Sequence, residues 1–534
     1  MRGTGAIHLI DALVAAGVRN LFSLSGNQIM SVYDATIGRD IEVIHTRHEA
    51  AAVHMADGWG RLTGEPGVAL LTAGPGHLNA ISALYVALMA ESPLLMISGH
   101  APVSQLGRGA FQEVDQVGVA APVTKAAWRV DAADEVGSAV ARAIRLARSS
   151  RPGPVHLSLP DDVLKEAAAA APAAEDGGGP SVEGDEVRQA LGLLAAGERP
   201  LILAGPAFMR PERRAQVGAL AVATGCPALL MESPRGVNDP ALHEAVNCLK
   251  EADVVLLLGR KLDFGLRFGV PPFFAAGCRF VQVEPDPAEL RDADAVALRI
   301  QADPVQVMQQ MTEAGGDGVE NEAWRARVEA ALATEPEAWA GLRRSAARPI
   351  HPLRICAAVQ PYLDDGATFV SDGGEFGQWA QAGLVAGRRI INGTAGSIGS
   401  SLPMGLAAAL RFPENPVFVF QGDGTFGFHC MELDTAVRYG IPVVVIVGND
   451  ARWNAEHQIQ LNSYGEERTI ACDLLPSRYD QVAQALGAHG ERVEDPAELE
   501  GAIERAVAAG KPACVDVLIE PAAAPSLLVG GSHP

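Results

Sequence analysis

The chain has 534 residues and a formal net charge of −22, with 48% hydrophobic and only 5% aromatic residues. Nucleic acids and anionic membranes bind clustered Lys and Arg, and the sequence has no such run, so this composition excludes both as partners and favours a small-molecule substrate. The length exceeds what one hydrophobic core supports, and no apolar run is long enough to span a bilayer, so we expect several domains and no membrane segment.

The first residues, "MRGTGAIHLIDALVAAG", are interrupted by Asp11 and lack a cleavage-like site. They predict an amphipathic helix rather than a signal peptide. Seven cysteines are scattered through the chain without a C-x-x-C pair. This odd number indicates reduced thiols in a cytoplasmic protein and argues against a zinc site or a disulfide framework.

Short β-branched runs alternate with Ala-rich helical stretches along the first third, at "IEVIHT", "PGVALLTAG", "PLLMISG" and "PGPVHLSLP". This alternation is typical of a parallel sheet with helices on both faces. The composition then changes at residues 165–186, "KEAAAAAPAAEDGGGPSVEGDE", whose Gly, Pro and polar content indicates a linker. We therefore predict a first domain over residues 1–165.

The same pattern returns twice more. The strands "PLILAGPA", "ADVVLLLGRKLD" and "CRFVQVEPDP" predict a central domain over residues 186–312, followed by a polar connection. The strands "GATFVSDGG", "PVFVFQGDG", "IPVVVIVGND" and "KPACVDVLIEP" predict a third domain over residues 346–534. The predicted fold class is α/β, with three consecutive doubly wound, mainly parallel-sheet domains and no recognisable sequence repeat. The tail from residue 520 is apolar enough to cover a site, and a disordered end is the alternative.

The segment "VFVFQGDGTFGFHCMELD" runs from a strand into a glycine-rich turn of the kind that approaches phosphates closely. Asp423 stands between the first two glycines, where a carboxylate would repel a phosphate unless a cation lies between them. Asn449 ends the next apolar strand, and carboxyl ends of neighbouring parallel strands share one sheet edge. We expect one helix, "HCMELDTAVRYG", to separate these residues. For the turn alone, a plain strand-to-helix turn or a nicotinamide site is the alternative.

G-D-G followed by 24 residues and Asn resembles the signature of thiamine-diphosphate enzymes. By this resemblance Asp423 and Asn449 ligate Mg²⁺, together with a backbone carbonyl near Ala451. The resemblance also implies that the cofactor diphosphate contacts Gly422, Gly424, Thr425 and Asn449.

Residues 45–80, 109–117, 151–163 and 393–410 resemble the acetolactate-synthase group of that family. Within them Glu49 matches the glutamate that contacts the aminopyrimidine ring and helps to activate the thiazolium carbon. Its apolar neighbours predict a desolvated carboxylate with a raised pKa. A position at a helix start would lower the pKa instead. The segment "TAGPGHLN" adds Gly74 and Asn79 as expected cofactor contacts. A solvated helix-capping acid is the alternative for Glu49.

Ile398 aligns with the bulky apolar residue that holds the cofactor bent, and an ordinary core position is its alternative. Phe111 and Gln112 fall in the family's "FQE" loop, which implies that Gln112 faces the substrate. Asn27 and Gln28 of "LSGNQIM" stand where acetolactate synthases usually have small residues. Either these amides orient a substrate donor or they satisfy local backbone groups.

The resemblance limits the reaction to making or breaking a bond beside a carbonyl. Three reactions compete: carboligation by a 2-oxo acid as in acetolactate synthase, simple 2-oxo acid decarboxylation, and cleavage of a 2-hydroxyacyl-CoA as in the oxalyl-CoA decarboxylase and 2-hydroxyacyl-CoA lyase branch. A non-catalytic regulatory homologue is a fourth possibility, which retention of Glu49, Asp423 and Asn449 argues against.

The central domain bears on this choice, because "LLLGRKLDFGLRFGVPPFFAAGCRFVQVEPDPAEL" is more like the CoA-lyase branch. Arg260, Lys261 and Arg267 could meet an adenosine phosphate there, with simple solvated charges as the alternative. Acetolactate synthases also hold FAD in this domain, but "LAGPAFMRPERR" offers only a weak glycine turn for it, so FAD stays open. The family further implies a cofactor bound between two subunits of a homodimer or homotetramer.

Overall fold

A computed structural model describes residues 2–169, 171, 182–291, 294–315 and 322–525. Half of the predicted linker, part of the second connection and the end of the tail therefore lie outside the described residues. The described chain forms three parallel sheets flanked by helices, which confirms the predicted α/β fold class. A short antiparallel pair of strands, β1 with β8, is added at the start.

The N-terminal domain contains a six-stranded sheet in the order β3-β2-β4-β5-β7-β6. Its strands are β1 (Arg2–Thr4), β2 (Asn20–Ser23), β3 (Glu42–His45), β4 (Gly67–Leu71), β5 (Leu94–His100), β6 (Ala126–Arg129), β7 (Pro154–Pro160) and β8 (Ala167–Ala169). Its helices are α1 (Gly5–Ala15), α2 (Met30–Thr36), α3 (Glu49–Thr63), α4 (Pro75–Leu78), α5 (Ile81–Met89), α6 (Gln116–Ala120), α7 (Val136–Arg148) and α8 (Asp161–Lys165).

The central domain contains a five-stranded sheet in the order β10-β9-β11-β12-β13. Its strands are β9 (Pro200–Ala204), β10 (Ala228–Leu230), β11 (Val254–Leu258), β12 (Arg279–Val283) and β13 (Val296–Ile300). The helices here and in the following connection are α9 (Gly184–Ala195), α10 (Pro211–Thr224), α11 (Ala245–Glu251), α12 (Pro304–Ala314), α13 (Glu322–Ala333) and α14 (Glu337–Leu342).

The C-terminal domain contains a six-stranded sheet in the order β15-β14-β16-β17-β19-β18. Its strands are β14 (Thr368–Ser371), β15 (Arg388–Ile390), β16 (Val417–Gly422), β17 (Val444–Asn449), β18 (His489–Val493) and β19 (Ala513–Leu518). Its helices are α15 (Pro352–Asp364), α16 (Gly374–Gly383), α17 (Ser401–Arg411), α18 (Asp423–His429), α19 (Glu432–Tyr439), α20 (Asn454–Tyr464), α21 (Tyr479–Ala485) and α22 (Leu499–Ala508).

The first and third sheets have the same strand order when β2 is matched with β14 and each later strand with its counterpart. The central strands of both are buried on both faces, as expected for apolar strands covered by helices on each side. The repeat is therefore one of topology, although the sequence shows no recognisable repeat.

Each sheet has a point where the strand order reverses, and ligands of open α/β sheets bind at the carboxyl ends of the strands there. This point lies between β2 and β4 in the first domain, β9 and β11 in the second, and β14 and β16 in the third. The loops that follow these strands are therefore the expected binding loops. They contain Asn27, Gln28, Gly74, Asn79 and the turn at Asp423, whereas Glu49, Gln112, Ile398, Asn449 and Ala451 lie at or after the ends of other strands.

Helices α3 and α17 join the first and third domains. A Cβ on Gly58 would lie 2.9 Å from the Cα of Met404, so the absence of a side chain on this glycine permits the close contact. The prediction of one helix between Asp423 and Asn449 was wrong, because α18 begins at Asp423 itself and α19 follows after a break at residues 430–431. Within the described residues, no helix combines the length and apolarity needed to cross a membrane.

Candidate active site

Asp423 and Asn449 lie side by side at the C-terminal sheet edge. Gly422 of β16 is paired with Gly448 of β17, so the residue that follows each glycine stands at the same level. Both side chains are buried, with 2% of their surface exposed. The sequence prediction that these two residues meet is thus consistent with the strand pairing.

Both side chains present an oxygen that has no hydrogen-bond partner among the described residues. These atoms are Oδ2 of Asp423 and Oδ1 of Asn449. The Asn449 amide is held in this orientation because its Nδ2 donates to the carbonyl of Ser477 at 3.0 Å and to Oδ1 of Asp516 at 2.9 Å. Two buried, unpartnered oxygens are the donor type that a hard cation such as Mg²⁺ takes. The residues present therefore fit the predicted metal.

The electrostatics of this edge also fit a cation. Burial raises the pKa of Asp423 to about 6, and burial together with Asp423 raises the pKa of neighbouring Asp450 to about 8. Ala451 has a left-handed backbone (φ 54°), and its carbonyl accepts a hydrogen bond from the amide of Leu474 at 2.7 Å. A carbonyl oxygen has two lone pairs, so one stays free for the predicted third ligand position. Nowhere in the described ranges do three or more His, Cys, Asp or Glu side chains form a metal-binding group.

The glycine turn is shaped for close approach. A Cβ on Gly424 would lie 2.7 Å from the indole ring of Trp453, so this position has no room for a side chain. The hydroxyl of Thr425 donates to the carbonyl of Gly422 at 3.0 Å and closes the turn. Gly422, Gly424 and Thr425 remain predicted cofactor contacts, and all three lie in the turn between β16 and α18 or at its ends.

Ile398 lies on the loop before α17, beside the end of β14. A Cβ on Gly373 would lie 2.8 Å from Cγ2 of Ile398, so the missing side chain lets the two segments touch. The next residue, Gly399, donates its amide to Oδ1 of Asp372 at 2.9 Å. Ile398 is half-buried, and its role as a support for the cofactor stays a prediction.

Asp372 is a residue of this site that sequence reasoning missed. Its fully buried carboxylate accepts five hydrogen bonds, from the amides of Gly373, Gly399 and Ser401, the Ser401 hydroxyl and the Gln421 side chain. It therefore ties the Ile398 loop to the ends of β14 and β16. Its place directly after the apolar run "ATFVS" was a usable signal, because that position opens a binding loop.

Glu49 is the first residue of α3, at the helix start that the sequence indicated. Its Oε2 accepts a hydrogen bond from Nδ2 of Asn79 at 3.0 Å, which brings two predicted cofactor contacts together. The expectation of a largely desolvated carboxylate was wrong for the single chain, since Glu49 is only partly buried there. The apolar residues that follow it face the core, and the helix start leaves Glu49 itself at the rim.

Gly74 and Gln112 are also brought together. Gly74 has φ 57° and ψ −112°, and a Cβ there would lie 2.8 Å from the carbonyl oxygen of Gln112. Gln112 itself has a left-handed backbone (φ 60°). The buried Gln116, which the sequence reasoning did not select, accepts from the amide of Gly74 at 3.0 Å and donates to the carbonyl of Gly99 at 3.0 Å. These contacts hold the "FQE" loop against the "TAGPGHLN" loop.

Asn27 and Gln28 differ in what they can do. The buried Gln28 accepts a hydrogen bond on Oε1 from the hydroxyl of Thr72 at 2.7 Å. Asn27 is exposed on the short turn that follows β2. Gln28 therefore supports the neighbouring loop, and Asn27 is the amide that a ligand could reach.

Within one chain the two halves of the site meet through neighbouring residues: the amide of Arg47 donates to Glu432 at 3.0 Å, and the ring of His48 lies 5.7 Å from that of His429. Among the described residues, no hydrogen bond or ion pair joins Glu49, Asn79 or Gly74 to Asp423 or Asn449. The first half contains Glu49, Asn79, Gly74 and Gln112, and the second contains Asp423 and Asn449 with the glycine turn.

The three central-domain cations are engaged within the chain. Lys261 pairs with Glu289 at 2.6 Å, and the buried Arg260 pairs with Asp263 at 3.1 Å. Arg267 stacks over the ring of Phe273. The resulting surface offers little free positive charge for an adenosine phosphate.

Comparison with known proteins agrees with this geometry. The profile "Thiamine pyrophosphate enzyme, N-terminal TPP binding domain" matches residues 3–119, the central-domain profile of the same family matches residues 187–311, and its C-terminal TPP binding domain profile matches residues 372–517.

Relatives named as acetolactate synthases and as a 2-hydroxyacyl-CoA lyase match nearly the whole chain. "Probable acetolactate synthase" of Mycobacterium bovis is 35% identical over 529 residues, which cover 96% of this chain and 95% of the relative. "Acetolactate synthase large subunit IlvG" of Mycobacterium tuberculosis matches to the same extent. "2-hydroxyacyl-CoA lyase 2" of Bos taurus is 31% identical over 543 residues, which cover 91% of this chain and 84% of the relative. The chain therefore belongs to the thiamine pyrophosphate enzyme family, uses thiamine diphosphate, and makes or breaks carbon–carbon bonds.

Proposed function

We propose that the protein is a Mg²⁺-dependent carboligase that takes an acyl unit from a 2-oxo acid and joins it to a second carbonyl compound. The observation that carries the cofactor chemistry is the pair of buried, unpartnered oxygens on Asp423 and Asn449. The choice of carboligation is supported by the two relatives named acetolactate synthase, which are 35% identical over 96% of this chain.

The proposed roles follow from where each side chain lies. Bound thiamine diphosphate supplies a carbanion at its thiazolium carbon and stabilises the negative charge that develops on the substrate. Asp423 and Asn449 would hold Mg²⁺, a cation that takes carboxylate, amide and phosphate oxygens together. Glu49 accepts and returns a proton at the aminopyrimidine ring, and Asn79 orients its carboxylate.

The substrate side is formed by the loops that follow β2 and β5. Gln112 is held by its left-handed backbone against Gly74, and we assign its amide to a substrate carbonyl. Asn27 is exposed beside the same loops and is a second candidate contact. Ile398 provides an apolar wall that the Asp372 hydrogen bonds keep in place.

We further propose that the active site forms between two subunits. Within one chain no hydrogen bond joins Glu49 or Asn79 to Asp423 or Asn449 among the described residues, and a second subunit would bring a complementary half to each. Large apolar side chains are exposed next to each half. They are Leu78, Tyr85, Phe428 and Met431, with 42–53% of their surface exposed. A homodimer is the smallest assembly that covers them, and a homotetramer contains the same pair.

Cleavage of a 2-hydroxyacyl-CoA is the second candidate. It is supported by the relatives named 2-hydroxyacyl-CoA lyase 2, at 31% identity over 91% of this chain. The polar Asn27 and Gln28, where acetolactate synthases usually have small residues, also favour a different substrate. The internal pairing of Lys261 and Arg260 argues against adenosine-phosphate binding at that place.

Product analysis on a substrate panel separates the candidates. The holoenzyme is incubated with pyruvate, longer 2-oxo acids, acyloins and 2-hydroxyacyl-CoA esters. Carboligation predicts a new acyloin or 2-hydroxy-2-methyl-3-oxo acid from 2-oxo acids and no turnover of CoA esters. If only the CoA ester reacts, and it releases an aldehyde and a formyl-type thioester, the protein is a lyase and the carboligase proposal is wrong. Carbon dioxide and free aldehyde without coupling would indicate simple decarboxylation.

The role of Glu49 is tested independently of the substrate. Proton exchange at the thiazolium carbon of bound cofactor is followed for the wild type, Glu49→Gln and Glu42→Gln. We expect exchange to slow by about 10²-fold or more only in Glu49→Gln, because it loses the proton acceptor. Glu42 is an exposed acid of strand β3 and serves as the matched control. Equal exchange in all three proteins would remove Glu49 from the mechanism.

A further inference from the structure

The switch point of the central sheet is occupied by side chains of this protein. The loops after β9 and β11 meet there, and they present the amide of Ala207 and the carbonyl of Gly259. In α/β folds such amides at strand ends are the groups that bind phosphates. Any flavin or adenine nucleotide in this domain would use them.

The amide of Ala207 already has an anionic partner. It donates to Oε2 of Glu91, a residue of the N-terminal domain, at 3.2 Å. The other oxygen of Glu91 pairs with the guanidinium of Arg151. That guanidinium also pairs with Glu284 of the central domain and donates to the carbonyl of Gly259 at 3.1 Å. We call Glu91, Arg151 and Glu284 the Glu91 clasp.

Two features show that the Glu91 clasp is a built arrangement. Glu91 and Glu284 are buried, with 7% and 3% of their surface exposed. Glu91 also has a left-handed backbone (φ 54°), as does Ser150 next to Arg151 (φ 49°). Residues other than glycine adopt this conformation at a cost and keep it where the surroundings require it. Here the conformation directs a carboxylate to the Ala207 amide.

The Glu91 clasp also divides the crevice. Cavities of about 560 Å³ and about 450 Å³ lie at this junction, and both are lined by Glu91, Arg151 and Pro206. The clasp therefore lies between them. An extended dinucleotide would have to cross the position that the Glu91 carboxylate fills. In the smaller cavity, Lys261 and Glu289 neutralise each other.

We propose that Glu91 is a built-in anion of the central domain and that this enzyme works without FAD or an adenine nucleotide in the central crevice. The carboxylate takes the place of a phosphate on the Ala207 amide, and Arg151 links two domains instead of binding a ligand. FAD, left open by the sequence, would meet the Glu91 carboxylate at the Ala207 amide, the group that its diphosphate would need as a donor. This inference concerns the central domain alone, so it stands or falls independently of the reaction proposed above.

The purified full-length holoenzyme provides the first test. We expect no visible flavin absorption after denaturation and no change in thermal midpoint with FAD or ADP at about 1 mM, whereas a micromolar site would raise the midpoint by several degrees. Co-purified flavin, or a midpoint raised by either nucleotide, would overturn the proposal.

The second test frees the proposed anion position. Glu91→Gly removes the carboxylate and suits the left-handed backbone, so inorganic phosphate and ADP are expected to raise the midpoint of this variant and not that of the wild type. Glu91→Gln keeps the position filled and is expected to stay unresponsive. Glu251→Gln, which removes the partner of Arg327 at a place that lines neither cavity, is the matched control. A glycine variant that responds no more than the wild type would overturn the assignment, and the wild-type measurement decides alone if that variant does not fold.

Discussion

Asp372 offers the sharpest test of how the third domain holds its binding loop. Its carboxylate is fully buried and accepts hydrogen bonds from three backbone amides and two side chains. The substitutions Asp372→Asn and Asp372→Ala remove different parts of this set. Their consequences can therefore be calculated separately and compared.

Asparagine keeps the shape and replaces one oxygen by an NH₂ group. If this NH₂ points toward Ser401 and Gln421, it can donate to both. The Ser401 hydroxyl can rotate to accept, and the Gln421 side-chain amide can flip to present its oxygen. The Oε1 of Gln421 has no hydrogen-bond partner in the described part of the chain, so the flip is not opposed there. The Ser401 amide then loses its acceptor, as does the flipped Nε2 of Gln421, which belongs to β16 and not to the loop. An unsatisfied buried donor costs about 1–3 kcal/mol, which is the expected loss of local stability for Asp372→Asn.

Alanine removes every acceptor at once. The amides of Gly373, Gly399 and Ser401 are then all without a partner in the crevice that the side chain leaves. At about 1–3 kcal/mol for each amide, the expected loss is about 3 kcal/mol at the least. The Ile398 loop would open far more often than in the asparagine variant.

Hydrogen exchange of the peptide that covers residues 393–401 measures this opening directly. Because every 1.4 kcal/mol is a factor of ten, exchange is expected to be about ten to a hundred times faster in Asp372→Asn and faster still in Asp372→Ala. Asp365→Asn, at an exposed aspartate of the same domain, is the control. If the asparagine variant exchanges like the wild type, or if both variants exchange alike, the hydrogen-bond account of this loop is wrong.

Other predictions concern the sheet edge that carries Asp423 and Asn449, and the buried Asp239 of the central domain. A Cβ on Gly424 meets the Trp453 ring at 2.7 Å, whereas one on Gly427 of the same helix meets nothing within 4 Å. Gly424→Ala is therefore expected to weaken cofactor binding about tenfold or more by calorimetry, with Gly427→Ala unchanged. Asn449→Ala removes the unpartnered oxygen, so half-maximal holoenzyme formation is expected to need about 10–100 times more Mg²⁺, and an unchanged requirement would contradict the ligand role. Burial raises the pKa of Asp239 from 3.8 to about 6, so its ionised form destabilises the native state above that range and has no effect below about pH 4. Asp239→Asn is expected to gain about 3 kcal/mol over the wild type in urea unfolding at neutral pH. A gain that does not shrink on acidification would refute this reasoning.

The strands, and the position of Asp423 and Asn449 at one sheet edge, could be predicted from the sequence because both depend on local patterns. Apolar runs ending in glycine identified β16 and β17, and the spacing from Asp423 to Asn449 places both residues at one edge once the strands pair in parallel. Gly74 and Gln28 were selected by family resemblance, and both follow strands of the first sheet, β4 and β2. The break between α18 and α19 was missed, since residues 430–431 contain neither Gly nor Pro.

Residues that act through distant partners could not be predicted. Asp372 takes its donors from segments up to 49 residues away, and Glu91 reaches Ala207 across 116 residues and a domain boundary. No periodicity or local spacing records such pairs. The exposure of Glu49 is a similar case, because whether it is desolvated depends on what covers the rim of the first domain rather than on its apolar neighbours in the chain.

The charge around Asp423 and Asn449 predicts that a cation and the cofactor bind together. Asp423, Asp450 and Asp516 lie close enough to affect one another, and burial raises the pKa of all three above the ordinary value. A diphosphate alone would add negative charge to a pocket that already disfavours it, whereas a divalent cation favours the ionised carboxylates and the diphosphate at once. Binding of the two is therefore expected to be mutually dependent, and by linkage each raises the affinity for the other by the same factor. The chain has a net charge of −22, which repels an anionic cofactor. A cation bound at Asp423 and Asn449 would supply the local attraction for the diphosphate.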